Sequence, residues 1–166
     1  MTISTLKDLY IDQLQDLYSA NRQALKATRE LKDAASSAQL RTALEAGADG
    51  IEQGMDHLKT LIENHNGNPR GEHCRGMEGL VAEARAHGVE ADFTDADVRD
   101  ASIIAQYQRM THYGISGYGT LAAFARKLGL DHDASVLAQC LEDTRGGDKK
   151  MTAIASGEVN PAAAEA

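Results

Sequence analysis

The residues best placed to do chemistry lie at helical spacing in the middle of four long apolar-periodic segments. They are Asn21 in the first; Gly47, Gly50 and Gly54 in the second; Thr111, Gly114 and Gly117 in the third; and Cys140, Thr144, Gly146, Gly147 and Asp148 in the fourth. Carboxylates and histidines on such inward strips would bind hard metal ions, which want several oxygen ligands. Asp148 is the one such ligand type on these strips, and with an Asn amide and two Thr hydroxyls it carries too little charge to hold two ions. Small residues at one level of a bundle leave a hollow instead, which is a usual place for a ligand. The candidate pocket is Tyr18, Asn21, Gly47, Gly50, Gly54, Tyr107, Thr111, Gly114, Tyr118, Thr144, Gly147 and Asp148, with Met55 and Met110 nearby.

Glycine inside a helix is costly, at about 0.8–1 kcal/mol each relative to Ala. The seven at 47, 50, 54, 114, 117, 146 and 147 therefore need a cause. Either backbones approach closely there, or the missing side chains open a cavity. Other candidate ligands have bland readings beside the functional one. Asp49, Glu52 and His112, with Asp148, could form a metal site of unusual ligation, yet Asp49 and Glu52 read first as solvated-face residues and His112 first as a structural one. Glu72, His73 and Cys74 are adjacent in the chain, and adjacent residues rarely converge on one ion without supporting shells. No GxSxG, HExxH or phosphate-binding Gly-rich turn occurs.

The elements that must position these residues follow from periodicity and capping. Thr5 and Asp8 form a weak capping-box signal before a helix over 5–35, with Leu6, Tyr10, Leu14, Tyr18 and Leu25 in register. Ser36 and Ser37 precede a second run, Leu40 to Ile62, which ends at the turn-rich stretch from Asn64 to Pro69. A short amphipathic piece spans Met77 to Ala86, and Thr94 or Asp95 caps a third long helix that stops at Gly129. The fourth runs from Asp131 through Ile154, leaving 157–166 as a flexible tail with nothing to bury. The pattern predicts one domain over 1–156: an all-α antiparallel four-helix bundle with a short extra helix in its crossover.

Composition agrees with helices: 42% of residues are apolar but only 4% aromatic. A net charge of −8 repels nucleic acid and anionic membrane surfaces, so neither is expected as a partner. Without a membrane-length apolar run or a leader-like start, a cytoplasmic location is expected. Cys74 and Cys140 lack CxxC partners and read as reduced thiols.

Several stretches resemble the YciE/YciF family of bacterial ferritin-like proteins across about residues 5–155. They are LKDLYIDQLQDLYSANRQALKA, ASSAQLRTAL, CRGMEGL at 74–80, HYGISGYGTLAAFARKLGL and LEDTRGGDKKMTAIA, with DLYSA at 16–20 and YGTL at 118–121 the most telling. The resemblance implies a ferritin-like fold and, in typical members, Glu where Asn21, Gly50, Thr111, Gly114 and Thr144 stand, with His, Gln or Glu where Gly54 stands. A di-iron site of this fold takes a Glu from each of two helices and ligand pairs from the other two. This chain departs from that pattern at nearly every position, so no di-iron centre and no ferroxidase activity are expected.

Three readings follow. In the first, a non-catalytic protein holds a bulky, mainly apolar or planar small molecule in the vacated chamber. The second is a structural or stress-related homodimer with a collapsed core; a dimer is a reasonable expectation because oligomers are common among such proteins. The third is a di-metal protein of unusual ligation. The ligand's identity is not written in the sequence.

Overall fold

In the computed structural model, which describes residues 2–166, the regular elements are all helical. They are α1 (Leu6–Ala34), α2 (Ala38–Asn64), α3 (Arg75–Arg85), α4 (Ala96–Lys127), α5 (Asp131–Ile154) and α6 (Asn160–Ala163), with π-helical turns at Ala86–Glu90 and Ala155–Val159.

Three of the four long helices, α1, α2 and α4, begin where a side chain satisfies orphan backbone amides, whereas α5 starts at Leu130 with no side-chain cap. Thr5 Oγ1 accepts from the Asp8 amide at 3.1 Å while Asp8 Oδ2 accepts from the Thr5 amide at 2.9 Å, a complete capping box. Ser37 Oγ caps α2 by accepting from the Leu40 amide, and Asp95 caps α4 by accepting from Asp97 and Val98. Helix α2 closes with Asn66 at φ 58°, where the Gly67 amide reaches back to the Ile62 carbonyl at 2.9 Å. Gly129, at φ 71°, does the same for α4, with the Leu130 amide on the Ala125 carbonyl.

Two hairpins, α1/α2 and α4/α5, pack so that α1 meets α4 and α2 meets α5. Direction follows from the ends. Tyr10, His65 and Asp133 meet at one end, through Asp133 Oδ2 at 2.9 Å from the Tyr10 hydroxyl and 2.6 Å from His65 Nε2. At the other, Asp100 Oδ1 and Oδ2 accept the backbone amides of Ser36 and Ser37. Neighbouring helices are therefore antiparallel, whereas α2 and α4 are parallel. The connection between them must run the length of the bundle, and α3 packs within it against α1 and α4 with Met77, Val81 and Ala84 buried. Tyr10, Leu14, Leu40, Leu44, Leu58, Ile62, Ile103 and Leu137 are wholly buried in the core.

The expectation for 157–166 needs correcting. The chain stays helical to Ala163, Val159 is buried, and the Ser37 hydroxyl donates to Glu158 Oε1 at 2.8 Å. Val159 supplies one more turn of apolar side chain against α4, in a segment expected to have nothing to bury. Among the described residues, no helix is long and apolar enough to cross a membrane.

Candidate functional site

The small-residue strips of α2 and α5 face each other across a cleft of about 460 Å³ whose deep wall is formed by α1 and α4. From α2 come Gly47, Gly50 and Gly54; from α5, Cys140, Thr144, Gly146 and Gly147. The deep wall presents Asn21, Ala24 and Thr28 of α1 and Tyr107, Met110, Thr111, Gly114 and Tyr118 of α4.

The glycines serve two ends. A side chain on Gly50, Gly146 or Gly147 would meet no atom within 4 Å, and one on Gly114 only the Thr144 methyl at 4.0 Å. These positions keep the cleft open. Gly47 and Gly54 instead admit the hydroxyls of Tyr107 and Tyr118, and Gly117 admits Leu17. Close approach and cavity, the two causes weighed from the sequence, thus operate at different glycines of the same strips.

Polar groups in the deep wall are uncharged and mostly engaged. Asn21 Nδ2 donates to the Tyr118 hydroxyl at 2.8 Å. The hydroxyls of Thr111 and Thr144 donate to the carbonyls one turn back in their own helices, Tyr107 O at 3.0 Å and Cys140 O at 2.7 Å. Thr28 Oγ1, fully buried, has no partner. Burial pushes both tyrosine hydroxyls up and the Cys140 thiol up to about 11, so all three stay neutral. Exposed polar side chains, His57, Glu142, Asp143 and Lys150, stand at the mouth.

Two expected pocket residues lie elsewhere. Asp148 is not in the wall: one residue past Gly147 turns it about 100° round α5, where it accepts from Gln108 Nε2 at 3.0 Å and pairs with His112 Nε2 at 3.1 Å. Tyr18 is also outside the wall and half-buried, since three residues before Asn21 it is rotated about 60° round α1. Met55, expected nearby, is likewise outside the lining. Thr28 was missed, although Asn21, Ala24 and Thr28 at spacings of three and four carry the helical signal that could have found it.

The donor set does not fit a two-metal carboxylate centre. Where such a centre would need carboxylates, the lining offers the Asn21 amide, two threonines whose hydroxyls are engaged with their own helices, and the glycines at 50 and 114. Among the described residues no three His, Cys, Asp or Glu side chains gather in metal-holding geometry. Glu52 is paired with Arg29 at 3.3 Å, and Asp49 is exposed. His73 Nε2 meets Glu78 at 3.1 Å while Cys74 Sγ meets the Tyr113 hydroxyl at 3.0 Å, so the 72–74 trio diverges.

A family model described as Domain of unknown function (DUF892) matches residues 5–164. Protein YciF of Escherichia coli (strain K12) is 34% identical over 161 residues, 96% of this chain and 96% of that protein. The crystal structure of the E. coli stress protein YciF matches with a TM-score of 0.88 at 34% identity, covering 95% of this chain and 99% of that one. YcfI of Rhodopseudomonas palustris, to which a structural role is attributed, matches with a TM-score of 0.84 at 30% identity over 90% of this chain and 94% of its own.

Proposed function

We propose that this chain, which belongs to the DUF892 family with protein YciF, is a non-catalytic small-molecule-binding protein whose receptor is the cleft between α2 and α5. The observation that carries the reading is the cleft itself, about 460 Å³ and lined by small residues of α2 and α5. Ligand pockets commonly measure about 300–1,000 Å³ and combine apolar walls with a few polar groups. Helix-destabilising glycines at 50, 114 and 147 keep the space open, and nothing in the packing requires glycine there. A relative named as a stress protein supports a role in stress physiology, and we place that role in the cytoplasm as a homodimer.

The structural role attributed to YcfI favours a second reading, in which this chain is a scaffold and its cleft has no occupant. Native mass spectrometry of the purified protein, beside the Gly114→Leu variant, separates the two. A stoichiometric non-protein mass on the parent chain that is lost in Gly114→Leu supports binding. A bare mass for both chains, with no small aromatic compound shifting the melting temperature of either, would leave the scaffold. Two metal ions per chain would overturn both.

A further inference from the structure

A second cluster of reactive side chains stands apart from the cleft and owes nothing to the role proposed for it. Three helix ends build it. Lys7 lies in the first turn of α1, His65 is the C-cap of α2, and Asp133 lies in the first turn of α5. The lining of the cleft includes none of the three.

Asp133 is 7% exposed and accepts from the Tyr10 hydroxyl at 2.9 Å, which fixes its carboxylate. His65 Nε2 lies 2.6 Å from the same oxygen, Asp133 Oδ2. A carboxylate oxygen accepts, so the ring hydrogen sits on Nε2 and leaves the Nδ1 lone pair free. Lys7 Nζ donates to that Nδ1 at 2.7 Å. Amine, imidazole and carboxylate thus stand in line, the order in which an oriented base withdraws the proton of a nucleophile.

An ammonium has no lone pair, so lysine attacks only as the neutral amine. Burial pulls the Lys7 amine below its usual 10.5, against the opposing charge of Asp133. The imidazole in contact with it is placed to take the proton that the nitrogen sheds on attack. Lys7 is half-buried rather than sealed, which leaves it open to a small reagent.

We propose that Lys7 is a modification site, a nucleophilic amine with His65 as its base and Asp133 as a positioning residue, which takes short acyl groups from small acyl phosphates. Nζ attacks the acyl carbon, the bond from that carbon to the phosphate oxygen breaks, and phosphate leaves with the electron pair. The proton shed by Nζ passes to His65 Nδ1 and from there to water. Asp133 holds the other ring hydrogen while the imidazole carries the charge. The donor is small and freely diffusing, because the large cleft that could seat a bulkier carrier lies elsewhere. The product is a neutral amide at the point where the amine had joined α1 to the C-cap of α2.

The test treats the intact protein with acetyl phosphate and follows each lysine by peptide mass spectrometry. Lys127, exposed at the end of α4, is the reference within the same molecule. At pH 7 Lys7 should be acetylated at least about tenfold faster than Lys127. The ratio should fall toward one above about pH 10.4, where an ordinary lysine loses its own proton. His65→Gln keeps an acceptor for Lys7 and a donor for Asp133 but cannot take up a proton. It should erase the advantage at pH 7 while the circular dichroism spectrum and the Lys127 rate stay as in the parent. Lys7 reacting no faster than Lys127 in the parent chain, or a preference that survives His65→Gln, overturns the proposal.

Discussion

The hydroxyl of Tyr118 stands where a side chain on Gly54 would begin, and Tyr107 stands in the same relation to Gly47, seven residues earlier on α2. Glycine is thus required at 47 and 54 by tyrosines on α4, while at 114 it is not. We expect Gly54→Ala to destabilise the fold by about 1–3 kcal/mol through overpacking. Gly114→Ala should stabilise it by up to about 1 kcal/mol through helix propensity. Urea midpoints of the two variants should move in opposite directions, and adding Tyr118→Phe to Gly54→Ala should recover part of its loss.

Asp100 is wholly buried and receives the amides of Ser36 and Ser37 at 2.8 and 2.7 Å, which ties the α1–α2 turn to the start of α4. Asp100→Ala leaves two amides without their acceptor and should lower stability by about 2–4 kcal/mol. Asp100→Asn, which keeps one acceptor oxygen, should lose less in the same thermal melt.

Arg85 hydrogen-bonds Glu30 at 2.6 Å and thereby holds that carboxyl below its usual value of 4.5, tying α3 to α1. A depressed carboxylate stabilises the fold fully above its unfolded pKa, and the contribution disappears as pH falls through the folded one. The pair is about a third exposed, so the effect is small. Melting temperatures of the parent and Arg85→Ala should differ at pH 7 and converge by pH 3.

Burial pushes the Cys140 thiol up to about 11 from an ordinary 9.0, with Asp143 adding to the shift. A thiol raised in this way stabilises the fold fully below about pH 9, and that contribution is lost as pH rises toward 11. In a Cys74→Ala background, alkylation of Cys140 by iodoacetamide should be slow at pH 8 and should accelerate through pH 10–11. A ligand seated in the cleft should slow it further, because Cys140 is part of the wall.

Removing residues 157–166 exposes the surface that Val159 covers. Burial of one such side chain is worth about 1.5–3 kcal/mol, so the truncated chain should melt several degrees lower. A Val159→Ala variant should show part of the same loss without shortening the chain.

Much of the fold was legible because its signals are local. Thr5 with Asp8, Ser37 and Asp95 cap helices by bonds spanning two or three residues, and Asn66 and Gly129 close them by φ values that few residues adopt. Leu and Ile at helical spacing, together with the resemblance to a known family, give the four-helix bundle. The glycine and threonine strips at the centre could be read as lacking carboxylates from residue types alone.

What the strips form was decided by contacts between residues far apart in the chain. Gly54 and Gly50 are alike in sequence, yet one is filled by Tyr118 while the other borders open space, since a helix places them on different lines of approach to α4 and α5. Asp148 follows Gly147 directly but turns away from the cleft, and no local signal fixes which of the two faces inward. Tyr10 and Asp133 meet across 123 residues, a pairing fixed only once two hairpins have docked. Sequence determined the four long helices, the caps of three of them and the residue types on the central strips. Tertiary packing alone decided which missing side chains became close contacts and which became a cleft, because a void depends on what the opposing helices place there.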